Sequence, residues 1–354
     1  MGTVRFATIG TSGICERFLE ALAEAEGADY VAACSRDLDR ARSFGVRYGA
    51  RLFFDDLSEL ASSDEVDAVY ISSPNGLHAE QALAMIAGGK HVLVEKSLAA
   101  NEREARRVFD AARERGVVAM EAMRNLHVPT FAAIERVTAS ELGAVRLATL
   151  RFSKVTSRMA RLRAGERLNI FDPALAGGAL MDIGVYCVEP AVALFGRPET
   201  VRALAVTAPV PGCDADDPCS IIDLAGEALL GYGDKIVSLS YGKMCDDVIP
   251  SQVEGEEGTL LWDQTSCPVN PRVHDHEDKG LIFRMEEAST RPVPAEVPAN
   301  DMVCEIDDFT AAVRGEAAAL EAAARFERVT VDSLAVMDEI RRQVGVRFPA
   351  DLAE

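Results

Sequence analysis

The alternation of short apolar runs with amphipathic helical patterns over the first 125 residues most constrains what this chain can fold into. Runs at Val4 to Ile9, Tyr30 to Ser35, Arg51 to Phe54, Ala68 to Ile71, His91 to Val94 and Val117 to Glu121 read as strands. Buried parallel strands are continuously apolar, as Val92-Leu93-Val94 is. After the first run, Ile14, Phe18 and Leu22 recur four apart while Glu16, Glu20 and Glu24 take another face, the pattern of a helix packed inward. Asn101 with Glu104 three residues on reads as a capping box. Right-handed crossovers on successive βαβ units give a doubly wound parallel sheet with helices on both faces, ending near residue 125.

The remainder, 126–354, reads as a second, α+β domain. A helix over about 130–140 precedes alternating segments at Val145 to Lys154, Thr200 to Ala208, Cys219 to Leu224, Ile236 to Tyr241, Gly258 to Trp262 and Leu281 to Glu286, which predict an open, mostly antiparallel sheet. A helical stretch from Gly178 to Phe195 interrupts them, and Pro190 is expected to kink or shorten it. Helices return at Met302 to Val313 and Phe326 to Val344. The segments 209–218 and 268–279, rich in Pro and acidic residues, read as surface loops. His274-Asp275-His276-Glu277-Asp278 in the second is read as a solvated acidic loop, and no metal is assigned.

At 354 residues the chain has room for about two domains of ~150 residues. Its formal charge of −20 repels polyanions, so nucleic acid is an improbable partner. The eight cysteines show no CxxC and no zinc-like spacing, which suits a reduced, cytoplasmic chain. No signal-like N-terminus and no run of ~20 apolar residues are seen, so no membrane partner is expected.

Gly10-Thr11-Ser12-Gly13-Ile14-Cys15 follows the first strand and opens a helix, where backbone N–H groups and the helix dipole receive a pyrophosphate. Against GxGxxG, Ser12 and Cys15 replace the second and third glycines, both small enough for close approach. Where NAD-specific versions end the second strand on an acidic residue, this chain has Cys34-Ser35-Arg36. Arg36 and Arg40, one turn apart, suit a 2′-phosphate with Ser35 donating, which favours NADP over NAD. The alternative is that both arginines pair with Asp37 and Asp39 in water.

Three further motifs are Ser73-Pro74-Asn75 with His78, Glu95-Lys96-Ser97 at a strand end, and Gly177-Gly178 leading to Asp182-Ile-Gly184-Val-Tyr186. Together they resemble the Gfo/Idh/MocA oxidoreductases, in particular the dihydrodiol and xylose dehydrogenase type with its Asp-x-Gly-x-Tyr helix. The resemblance implies an N-terminal Rossmann domain, a C-terminal α/β domain, and Lys96 delivered beside a nicotinamide, with Ser97 where the family has proline. It also implies that Ser73, Pro74, Asn75 and Glu95 line the cofactor; His78 is either a cofactor contact or a helix cap. Asp182 and Tyr186, four apart, share a helix face. A free tyrosine is a poor base at neutral pH, so Lys96 is expected to favour the Tyr186 phenolate while Asp182 holds a neighbouring hydroxyl or orients the lysine. Gly177 and Gly178 are expected to let backbone approach a ligand.

Glu121, Arg124 and Asn125 are expected to face the cleft, and Lys154, Ser157, Arg158, Asn169 and Asp172 are further substrate-contact candidates. The leading expectation is NAD(P)-dependent hydride transfer to or from a CH–OH group of a small sugar, polyol or dihydrodiol. Alternatives are a hydrolase or lyase of the same fold with bound NAD, and a nucleotide-sensing regulator without turnover. An open sheet face needs a cover, so a homodimer or homotetramer through the second domain is expected.

Overall fold

The computed structural model describes residues 2–276 and 289–353. Six strands, β1 (Val4–Ile9), β2 (Ala28–Cys34), β3 (Leu52–Phe54), β4 (Ala68–Ile71), β5 (His91–Glu95) and β6 (Ala119–Ala122), form a wholly parallel sheet. Its order is β3-β2-β1-β4-β5-β6, so the strand order reverses between β1 and β4, and a crevice opens there at the carboxyl strand ends. Helices α1 (Gly13–Leu22), α2 (Leu38–Val46), α3 (Leu57–Ser62), α4 (His78–Ala87) and α5 (Glu102–Arg115) supply the crossovers. Asn101 caps α5 by accepting from Glu104 N–H at 3.0 Å, and the Glu104 carboxylate returns to Ala100 N–H rather than to Asn101 itself.

After α6 (Arg124–His127) and α7 (Pro129–Ser140) the chain enters a second sheet. Its strands are β7 (Val145–Ser153), β8 (Thr200–Pro209), β9 (Ile221–Gly231), β10 (Ile236–Gly242), β11 (Ser251–Gly255), β12 (Gly258–Asp263), β13 (Val269–Asp275) and β14 (Arg291–Pro292). They lie in the order β14-β13-β12-β11-β7-β10-β9-β8, antiparallel throughout except where β7 meets β10. β11 lacks an apolar run long enough to announce itself, and β13 replaces the loop expected from Pro271 and the acidic residues around it. The expected strand at Leu281 to Glu286 lies outside the described residues.

Between β7 and β8 come α8 (Met159–Arg163), a single π-helical turn at Leu180–Gly184 and α9 (Val185–Phe195). α9 runs on through Pro190 without stopping. Pro173–Phe195 is apolar enough in composition to cross a membrane, yet 78% of its most apolar window is buried, as expected of a core helix. α10 (Met302–Val313), α11 (Ala317–Val344) and α12 (Pro349–Leu352) close the chain. α10 returns to the first sheet, where Met302, Ile306 and Phe309 join Phe6, Phe18 and Tyr70 in one core cluster. The Phe18 and Tyr70 rings stack 3.6 Å apart, and Phe309 packs on Phe6, within this cluster.

Candidate active site

The crevice is a cleft of about 710 Å³ lined by Gly10, Thr11, Ser12, Ser35, Arg36, Arg40, Ser73, Pro74, Asn75, Arg158, Asn169 and Asp182. Gly10 has φ +114°, and a Cβ there would meet Ser72 Oγ at 2.7 Å, so only glycine makes this turn. A Cβ on Gly13 would meet nothing, which leaves open space over the first turn of α1. Free backbone N–H groups at the start of a ten-residue helix, open space above them and a cleft of this size fit a dinucleotide. Cys15 is fully buried where a third glycine would stand, and Ile14 is half-buried.

Arg36 and Arg40 are exposed at the cleft edge and form no salt bridge with Asp37 or Asp39. Asp37 is occupied instead as the N-cap of α2, accepting from Arg40 N–H at 2.7 Å, while Arg40 Nε donates to Thr11 Oγ1 at 2.7 Å.

Asp182 gathers the chemistry. Lys96 Nζ donates to its carbonyl oxygen at 2.7 Å and to Oδ1 at 3.3 Å, and Lys243 Nζ pairs with Oδ2. Burial alone would raise the Asp182 pKa, but Lys96 and Lys243 hold it down at about 2. Burial likewise opposes the Lys96 charge, and Asp182, Tyr186 and Glu95 more than restore it. Lys96 Nζ stands 5.1 Å from the Tyr186 ring centre and Arg124 Cζ 5.5 Å from it. For Tyr186 burial prevails over both cations, so its pKa lies above the ordinary value. Lys96 and Arg124 thus act toward the phenolate, the direction expected of Lys96, and burial acts against it. Lys243, just after β10, was not singled out from the sequence, where a lone lysine following Tyr-Gly carries no signal.

Several expected contacts prove structural. His78 is fully buried and spends both ring nitrogens on carbonyl oxygens, Nδ1 at 2.9 Å from Ser97 and Nε2 at 2.7 Å from Ser73; it neither faces the cleft nor caps α4. Asn125 is also fully buried, its Nδ2 donating to Thr265 O at 3.0 Å. Glu121 is buried beneath Leu98, and Asp172 is held by Arg167 and the turn at Ala174. Glu95 is buried, accepting from Tyr70 Oη at 2.5 Å, and burial raises its pKa. Lys154 is exposed in a separate cavity of about 600 Å³, and Ser157 is exposed outside the cleft lining. Both glycines allow close packing, since a Cβ on Gly178 would strike Asp223 Oδ1 at 2.2 Å and one on Gly177 the Ile170 backbone at 2.8 Å, and Gly177 also lines the cleft as expected.

A doubly wound sheet with a nucleotide-sized cleft at its switch point, closed by a second domain bearing Asp182 and Tyr186, defines a dinucleotide-dependent oxidoreductase. The chain belongs to the Gfo/Idh/MocA family: residues 4–123 match its oxidoreductase domain with NAD-binding Rossmann fold, and 131–260 its C-terminal domain. It is an NAD(P)-dependent dehydrogenase or reductase acting on CH–OH groups. Among its relatives is a scyllo-inositol 2-dehydrogenase (NADP(+)) of Bacillus subtilis (strain 168), 36% identical over 99% of this chain and 100% of that one. A D-xylose 1-dehydrogenase (NADP(+)) of Haloferax volcanii is 39% identical over 60% of this chain and 62% of its own. The fold is similar to a 3-ketoreductase from Actinomadura kijaniata solved with NADP and TDP-benzene, with TM-score 0.78, 25% identity, and 98% and 100% of the two chains covered.

Proposed function

We propose that the chain is an NADP-preferring dehydrogenase of a cyclic polyol or sugar, with Tyr186 as its acid/base, Lys96 as the electrostatic partner and Asp182 as a substrate-hydroxyl acceptor. The observation that carries this is the Lys96–Asp182–Lys243 cluster beside Tyr186 at the end of the Gly10 cleft. When bound, the nicotinamide supplies or takes up the hydride. Tyr186 gives its proton to the substrate oxygen in ketone reduction and receives it in alcohol oxidation. Lys96, held cationic, stabilises negative charge on that oxygen. Asp182, held ionised, accepts from a neighbouring hydroxyl and so selects a substrate with two adjacent oxygens.

Thr11, Ser12 and the α1 N-terminus would hold the pyrophosphate, and Ser35, Arg36 and Arg40 a 2′-phosphate. NADP preference is supported by the arginines' freedom from Asp37 and Asp39 and by the cofactor in the relatives' names. Cyclic polyols and pentoses follow from the same names. The reading includes a cytoplasmic setting, supported by eight unpaired cysteines, and a homodimer or homotetramer formed through the outer face of the second sheet.

The test is a fluorescence titration with NADPH and NADH followed by assays on scyllo-inositol and D-xylose. NADPH should bind more tightly, and Arg36→Asp should move preference toward NADH; an unchanged affinity ratio retires the phosphate clamp. Tyr186→Phe should keep cofactor affinity and lower kcat by about 10²-fold or more, the range of general acid/base catalysis. Undiminished turnover in that variant would remove Tyr186 from the mechanism.

A further inference from the structure

Glu121 and Glu189 lie outside the cleft, and neither binding nor proton transfer uses them, yet they are only 3% and 1% exposed. Glu121 lies in β6 and Glu189 on α9, and the two carboxyls stand within hydrogen-bonding reach of each other. Glu121 Oε1 accepts Leu98 N–H at 2.7 Å, and the Thr330 hydroxyl on α11 also reaches this carboxyl. Glu121 Oε2 and Glu189 Oε2 meet no N–H or hydroxyl donor. Glu95, itself acidic, adds negative charge near Glu121, and neither carboxyl forms a salt bridge among the described residues. Two carboxylates cannot both ionise at such a place, whereas one shared proton turns the contact into a charge-assisted O–H···O bond.

The position of this contact gives it a role. Leu98 lies two residues beyond Lys96, and Glu189 three beyond Tyr186 on the same helix. Ser97 Oγ donates to Met181 O at 3.1 Å, a second tie between the same two segments. We propose that Glu121 and Glu189 share one proton and serve as a positioning pair that joins the Lys96 loop to α9, thereby setting Lys96 against Asp182 and Tyr186. This rests on the roles proposed above for Lys96 and Tyr186. Burial, and for Glu189 the Glu121 charge, hold both pKa values up. The bridge therefore contributes its full stability below the ordinary carboxyl range and loses it as pH rises toward the raised values.

Glu189→Gln retains a neutral donor toward Glu121 and removes the labile proton; Glu189→Ala removes the bridge. Burial also raises the carboxyls of Glu95 and Glu305, so the infrared carbonyl band of un-ionised carboxyls in the full-length protein at pH 7 should lose the intensity of one carboxyl in Glu189→Gln rather than disappear. Melting temperature should fall with rising pH more steeply in the wild type than in Glu189→Gln. Glu189→Ala should lower kcat by up to about 10²-fold, the cost of a misplaced catalytic group, with little change in NADPH affinity, and Glu189→Gln should restore kcat. An infrared band of equal intensity in wild type and Glu189→Gln, or parallel pH profiles for the two, would overturn the shared proton. Equal kcat in wild type and the Ala variant would overturn the positioning role. Should Glu189→Ala not fold, the Gln variant and the infrared band still decide the proton. A wild type without turnover on any CH–OH substrate would instead count against the functional reading, leaving the infrared and melting arms to judge the pair.

Discussion

Asp182 is held by an ammonium on each carboxylate oxygen, and this divides the labour among the site's ionisable groups. A carboxyl with pKa near 2 carries no proton at neutral pH, which is why the proposed mechanism gives the transferable proton to Tyr186. Because burial raises the Tyr186 pKa, the protonated form needed for ketone reduction dominates at neutral pH and the form needed for oxidation grows only in alkali. Alcohol oxidation should thus speed up as pH rises above neutrality while ketone reduction slows; profiles of kcat/KM in both directions check this, and matching slopes would assign the proton elsewhere. Lys243 withdraws one Asp182 oxygen from other donors and fixes the carboxylate's rotation. Lys243→Met should lower kcat/KM about 10- to 100-fold, the equivalent of one hydrogen bond to a charged group, while NADPH affinity holds. An effect confined to cofactor affinity would place Lys243 in nucleotide binding.

At the scale of elements, the π-helical turn at Leu180–Gly184 is what presents Asp182 to two lysines, and Asp223 of β9 secures its start. Asp223 Oδ2 accepts Leu180 N–H at 2.7 Å from a fully buried position, and burial pushes its pKa to about 6. Being raised, this group contributes stability below the unfolded carboxyl's pKa and loses it as pH climbs to about 6. Asp223→Asn should flatten that portion of the stability curve: between pH 4 and 6 the wild type should lose up to about 3 kcal/mol relative to the variant, measured by urea unfolding. The turn also marks where sequence reading stopped. Continuous apolar strands and the Gly10 junction exposed the first sheet and its cleft, because burial and backbone sterics act locally. Asp182 and Tyr186 were legible as a pair. The π geometry, the Gly178–Asp223 contact and Lys243 depend on segments far apart in sequence meeting in the fold, as the separations 43 and 61 for Leu180–Asp223 and Asp182–Lys243 show. His78 and Asn125 misled for the converse reason: polar residues beside a cleft look like ligands until their buried partners are known.

At the scale of the molecule, the second sheet has one face on helix α9 and the other uncovered among the described residues. On the bare face Leu204 is 80% exposed, Val206 62%, Leu229 50%, Ile236 48% and Leu147 46%, all from neighbouring strands β7 to β10. Scattered exposed leucines mean little, but contiguous apolar side chains on the flat face of a sheet are the kind of surface through which the proposed dimer or tetramer would form. Arg202 and Glu227 share that face, and opposite charges on one self-complementary surface suit a two-fold contact between identical chains. The face is remote in sequence from the Gly10 cleft, so assembly and cofactor binding should separate. Leu204→Arg with Val206→Glu should convert the oligomer to a ~38 kDa monomer in sedimentation velocity while NADPH affinity stays close to that of the wild type. A wild type that sediments as a monomer at every concentration would leave the bare face without a second copy. A double variant that stays assembled would move the contact to another surface.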